Sequence, residues 1–177
     1  MSLRSIAANP AYRFVGLFAL YLTLIAVGYP WATKRAITVV EAMTEGTAAI
    51  GTALLSLVSD EASRSGNLMQ LGSFNVLIIE ECTGIFEVLI FLAAVFAYPT
   101  GWIDKLIGVA LGVPILYAFN IARIMVLLWV GRFHSQFFDF MHIYFWQATL
   151  ILMITSVWLL WILKVVRRGE SSAPTGA

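Results

Sequence analysis

Charge is scarce in this sequence. Asp, Glu, Lys and Arg make up 12% of its 177 residues, where a soluble domain usually carries about 25%. The deficit excludes an ordinary soluble fold. A net charge of +1 also removes the basic surface that nucleic acid would need, so no nucleic-acid partner is expected. Cysteine is almost absent. The single Cys82 cannot form an internal disulfide and leaves the redox compartment open. One cysteine and two histidines are too few for an all-protein zinc site unless carboxylates join in; no metal and no cofactor are expected. Internal repeats are missing too. The one low-complexity stretch, GESSAPTGA at 169–177, is expected to be a disordered tail.

Apolar sequence fills the space that charge leaves. Hydrophobic residues account for 60% of the chain and the mean hydropathy is +0.88. These values mark an all-α integral membrane protein, and the length has room for one multi-pass membrane domain over 1–168. A spanning helix needs ~20 residues, and about four stretches fit: 14–32, 84–99, 103–131 and 142–163. The first follows Arg4 and Arg13, as the apolar core of a signal peptide would. Its length and the lack of a clear A-x-A site favour an uncleaved span. Pro99, Thr100 and Gly101 form the turn between the second and third spans. Gly112 and Pro114 predict a kink in the third. Trp129, Phe133, Tyr144, Phe145 and Trp146 cluster at one end, as an interfacial aromatic belt does.

The segment 35–81 is unlike a span. Ile37, Val40, Met43, Ile50, Leu54 and Leu57 recur at helical spacing, with Glu41, Glu45, Thr52 and Ser56 elsewhere. This pattern predicts an amphipathic helix on the membrane surface. The alternative, a crossing by 46–58, would put Glu41 and Glu45 deep in lipid. SGNLMQLGSFNVLIIEE then reads as a short β-hairpin-like segment of two extended runs punctuated by Gly66 and Gly72. With both termini inside, the inner segments hold six Lys or Arg residues (Arg4, Arg13, Lys105, Lys164, Arg167, Arg168) and the outer ones four (Lys34, Arg35, Arg64, Arg132). That bias orients the chain with 35–81 outside.

Against this apolar background, a few polar residues stand out. An ionisable group inside a span costs about 2.5–3.5 kcal/mol even on the lenient insertion scale. Arg123 nonetheless lies in YAFNIARIMVLLWVG, about 12 Å before Gly131 along a helix. Asn120, three residues earlier, shares its face. Snorkelling of the arginine and packing by the asparagine are the plain readings; a polar pocket is the functional one. His142 opens the last span, and His134 lies in the preceding loop. Glu87 pairs with Arg123 or a hydroxyl, or serves helix packing. Cys82 sits beside Glu80 and Glu81 in EECTG, where the second span begins. On the proposed orientation Cys82, Arg123 and His142 all fall near the outer leaflet, although they are far apart in sequence.

These three groups suit thiol chemistry. A free thiol is mostly protonated at neutral pH, and neighbouring carboxylates favour that form. Activation therefore needs positive potential. A helix N-terminus at Thr83–Gly84 and either Arg123 or protonated His142 could supply it. His142 is suited to general base and then general acid. Arg123, permanently charged, is suited to an oxyanion or a substrate carbonyl.

At these positions the sequence resembles the exosortase/archaeosortase family of multi-pass membrane transpeptidases. EECTG matches the family's E-x-C-[ST]-G context with Glu80, Cys82, Thr83 and Gly84. NIAR matches N-x-x-R with Asn120 and Arg123. HIYFW matches the histidine that opens an aromatic-rich helix about twenty residues later, which selects His142 over His134. The resemblance covers about 66–163. The chain is shorter than many members, with fewer N-terminal spans and no extra soluble domain, like the family's compact branches. The resemblance implies a protein-sorting cysteine protease/transpeptidase in a bacterial or archaeal plasma (inner) membrane. Cys82, Arg123 and His142 would be catalytic, with Glu80, Asn120 and Thr83 in support. Its substrates would be exported proteins with a C-terminal tripartite tail: a recognition motif, a transmembrane helix and basic residues. An acyl-enzyme on Cys82 would form at the outer face. A lipid or glycan nucleophile is the acceptor the resemblance suggests, with membrane lipid the surrounding partner.

Two other readings fit the composition. A non-catalytic assembly subunit would use Cys82 and Arg123 for packing. A small lipid or solute transporter would line a passage with Arg123 and Glu87.

Overall fold

A computed structural model describes residues 9–167 of the chain. Arg4, Arg168 and the expected tail at 169–177 lie outside the described residues. Helix α1 (Pro10–Arg35) contains the first expected span. Asn9 caps it, its Oδ1 accepting from the Ala11 amide at 3.0 Å, with Pro10 in the first turn. Lys34 and Arg35 in the last turn complement the helix dipole. No residue of α1 is buried. A helix that is apolar all round yet only half-covered along one face needs hydrocarbon around the rest. It packs along the helix Ile85–Ala97, and aromatic rings join it to the rest: Phe14 stacks on Trp158 and meets Tyr98 edge-on, and Tyr29 meets Phe86.

Helix α2 (Ile37–Leu55) follows after a bend at Ala36. The expected helix is present, and its two faces divide the work. Thr44, Thr47, Ala48, Gly51 and Leu55 are buried against the protein. Ile37, Met43, Ile50 and Leu54 of the apolar stripe are exposed. Small side chains let α2 approach α4 closely, while the bulky stripe is left for a non-protein environment.

The β segment is richer than the hairpin read from its glycines. Three antiparallel strands, β1 (Ala62–Ser65), β2 (Leu68–Leu71) and β3 (Phe74–Leu77), form a meander in the order β1-β2-β3. Gly66 and Gly72 occupy the first position of each two-residue turn with φ of 59° and 58°. Positive φ at that position alone is the sign pattern of a II′ hairpin turn, which glycine adopts without strain. β1 carries ASRS and has no apolar alternation to reveal it in the sequence. Met69 and Leu71 of β2 point inward and are buried. The sheet is pinned to the end of α4: the Phe74 ring covers Gly131, and Arg132 pairs with Glu61 at 3.4 Å.

The remaining helices form the bundle. Helix α3 is Ile85–Ala97, and α4 is Trp102–Phe133, which runs on as one helix through Pro114. Gly112, taken from the sequence as part of a kink, holds the Phe91 ring against the α4 backbone; a Cβ there would collide with it. The last helical run, α5, spans Ser135–Val166. It starts before the expected His142 and widens into π-turns at Met141–Phe145 and Ile162–Val166. Helices α1, α4 and α5 are long and apolar enough to cross a membrane. The 13-residue α3 is shorter, about 20 Å. The fold is that of an all-α membrane protein with one small sheet. Phe91, Val95, Leu116, Val157 and Trp161 make one buried cluster toward the α3–α4 turn, and Met69, Leu71, Ile78, Ile124 and Leu128 make another under the sheet.

Candidate active site

Cys82 ends a 3-10 turn, Glu80–Cys82, between β3 and α3. Two devices hold this turn. The Thr83 hydroxyl donates to the Glu80 carbonyl at 2.6 Å, and the Thr83 side chain is buried. Gly84 then reverses the chain with φ of 76°, which favours glycine. The same glycine brings its backbone against Asn120, whose Cγ would lie 3.0 Å from an added Cβ. Space and conformation both select glycine in the CTG triplet.

Asn120 completes the cradle. Its Nδ2 donates to the Cys82 carbonyl at 2.7 Å, wholly within the protein. At 1.5 Å per residue, Asn120 lies about 27 Å along α4 from Trp102, close to the ~30 Å of a hydrocarbon core. The last ~20 Å of α4 continue past that level beside the sheet. The cysteine turn therefore sits one core thickness from the α3–α4 turn, at the opposite end of the bundle.

Arg123 follows Asn120 by almost one helical turn and is 7% exposed. Its Nη1 is 3.9 Å from Glu87 Oε1, an ion pair too long for a hydrogen bond. Arg123 Nε, Glu87 Oε2 and Asn120 Oδ1 are all buried without a hydrogen-bond partner. Buried polar atoms ordinarily find partners, at a cost of about 1–3 kcal/mol when they do not. All three lie on α3 or α4, and one of them belongs to the asparagine that holds the cysteine turn.

Cys82 as a residue is 8% exposed and belongs to the apolar cluster with Met69, Leu71 and Ile78 from the sheet side and Ile124 and Leu128 from α4. The Glu80 carboxylate lines a different recess, between α1 and α2, with Lys34 and Glu41.

Cys82, Thr83 and Asn120 come together, Arg123 follows Asn120 on α4 and pairs with Glu87, and His142 stands apart from them. It is exposed on the π-turn Met141–Phe145 and stacks on Phe138 at 5.6 Å. Among the described residues no hydrogen bond or ion pair links it to Cys82 or Arg123. Its level nevertheless matches theirs. Trp146, one turn further on, meets Phe119 of the antiparallel α4 at 6.1 Å. One turn outward from that contact, α5 presents His142 and α4 presents Arg123. Phe138 in turn meets Phe74 of β3. His134 ends α4, exposed beside Trp129.

Tyr29 is a member of this neighbourhood that the sequence did not single out. Its hydroxyl is buried and unpartnered, within electrostatic reach of Glu80, Glu81 and Glu87. It lies on α1, inside an unremarkable apolar run, and only the docking of α1 on Phe86 brings it near.

A multi-pass helical membrane protein with a buried thiol turn at one end of its bundle is the class that fold and site define. The family model described as Transmembrane exosortase matches residues 6–161, and the chain belongs to that family. Exosortases are membrane cysteine transpeptidases that act on exported proteins. The chain matches no curated protein and no solved structure.

Proposed function

We propose that this protein cleaves the C-terminal sorting tail of exported proteins at the outer face of a bacterial or archaeal plasma membrane, with both its own termini inside, and passes the product to an acceptor. The reading rests on the family match and on one contact above all: the bond from Asn120 to the Cys82 carbonyl, which ties the thiol turn to the helix face that carries Arg123.

In this mechanism the Cys82 thiol gives its proton to His142 and its sulfur attacks the scissile carbonyl. Arg123 takes the developing oxyanion, its unpartnered Nε being a donor available for that purpose. The tetrahedral intermediate collapses, the C–N bond breaks, and His142 returns the proton to the leaving amine. The acyl-enzyme is then resolved by a lipid or glycan amine or hydroxyl, or by water. Asn120 and Thr83 position the turn; Glu80 supports it through its carbonyl. The substrate's own transmembrane helix holds the scissile bond at the level of the site, which confines the search to two dimensions. His142 needs to approach the sulfur, and a π-turn next to a loop is a place where a helix re-aims a side chain.

The experiment is co-expression with an exported protein bearing such a tail, followed by its mass. Cys82→Ala, Arg123→Ala and His142→Ala should each abolish processing while the protein still inserts. Normal processing by Cys82→Ala would eliminate the mechanism.

A further inference from the structure

The thiol chemistry leaves the opposite end of the bundle unused, and that end has two adjoining cavities. One, of about 570 Å³, is an apolar slot between α1 and α3, walled by Tyr21, Ile25, Leu89, Leu92 and Phe96. The other, of about 340 Å³, is more polar and carries Arg13, Tyr98 and Thr100. Phe96 and Lys105 border both, so the slot opens into the polar box. Along α3 the slot wall from Leu89 to Phe96 runs about 10 Å into the bilayer.

The box has positive charge to spare. The Arg13 side chain is exposed and makes no hydrogen bond or ion pair among the described residues. Lys105 Nζ donates to the Phe96 carbonyl at 2.8 Å, which leaves two of its three protons for another acceptor. Asp104 is occupied, its Oδ2 accepting from the Thr100 hydroxyl at 2.6 Å, and it pairs with neither cation. An anionic head with a hydrocarbon tail would satisfy both halves at once.

We propose that this end of the protein binds an anionic glycerophospholipid. Its phosphate sits between Arg13 and Lys105, and one acyl chain lies in the slot along α3. Basic pockets between spanning helices hold lipid head groups in this way. A free phosphate would use the box and leave the apolar slot unfilled, so the slot selects the lipid. The occupant also has a structural role, because no residue of α1 is fully buried and a chain in this groove would add to its packing on α3. The site is independent of Cys82, being at the other membrane face.

The test uses the full chain in detergent, titrated with phosphatidylglycerol or phosphatidylcholine. Retention is read by native mass spectrometry and stability by the thermal midpoint. Phosphatidylglycerol should be retained several-fold better and should raise the midpoint. Arg13→Gln should lower that preference about five-fold, whereas Arg13→Lys should keep it. Leu92→Trp, which fills the slot, should weaken retention of both lipids. Lys105→Gln also removes the bond to the α3 terminus, so the exposed Arg13 is the decisive position. Equal retention of the two lipids, or an Arg13→Gln protein that keeps full preference, would overturn the proposal. So would inorganic phosphate that raises the midpoint as much as phosphatidylglycerol does.

Discussion

Asn120 donates to the carbonyl oxygen of Cys82 from a position 38 residues later in the chain, at 2.7 Å. The bond joins the thiol turn to α4, and its remaining amide oxygen is buried without a partner. Asn120→Ala should therefore do two things. It leaves the Cys82 carbonyl unpaired, which lowers stability by about 1–3 kcal/mol, and it frees the turn, which lowers processing. Thermal midpoints in detergent and substrate cleavage in membranes check the two effects. A variant normal in both would show that the bond positions nothing.

Gly84→Ala should be more damaging than an alanine elsewhere in the turn. Its φ of 76° costs a side-chain-bearing residue about 1–2 kcal/mol. The new methyl also presses on Asn120. We expect processing to be lost while insertion persists, as read by cleavage and by membrane fractionation. Recovery of activity by pairing Gly84→Ala with a smaller residue at 120 would contradict the positioning role of Asn120.

The ion pair between Arg123 and Glu87 separates two kinds of loss. Arg123→Ala removes a donor to the oxyanion, for which about 10²–10³ in rate is typical. Glu87→Gln leaves Arg123 in place and removes a partner 3.9 Å away, so its effect on rate should be smaller by at least an order of magnitude on the same scale. Single-turnover cleavage rates decide the order. Equal losses would make Glu87 as necessary to the chemistry as Arg123.

Phe138 stacks on His142 and meets Phe74, whose ring covers Gly131. This chain of contacts runs from the sheet to the imidazole. Phe138→Ala should cut processing strongly, up to the ~10²-fold that a misplacement of about 1 Å can cost. Phe138→Tyr, which preserves the ring, should not. Cleavage rates at matched protein levels distinguish these outcomes; equal activity in both variants would sever His142 from the sheet.

Cys82 is the chain's only thiol and is buried. A membrane-impermeant maleimide added from outside should label it slowly. Met69→Ala, which loosens the apolar cluster that Cys82 shares, should speed the labelling. Labelling from the inner side alone would reverse the proposed orientation.

The positions of the long helices were legible because lipid as solvent imposes an apolar composition that no soluble segment matches. Cys82, Asn120 and Arg123 were legible for a related reason. A polar residue in an apolar run is conspicuous, and EECTG and NIAR are short local patterns. Gly66 and Gly72 announced turns, since positive φ singles out glycine. Strand β1 was hidden because ASRS has no alternation to read. The place of Tyr29, the cluster that Cys82 shares with Met69 and Leu71, the stacking of His142 on Phe138 and the choice of Arg123 as the partner of Glu87 were decided by tertiary structure alone. Each depends on which faces of distant segments meet. Periodicity shows that a helix has an apolar face, but the partner of that face is selected by packing among elements tens of residues apart.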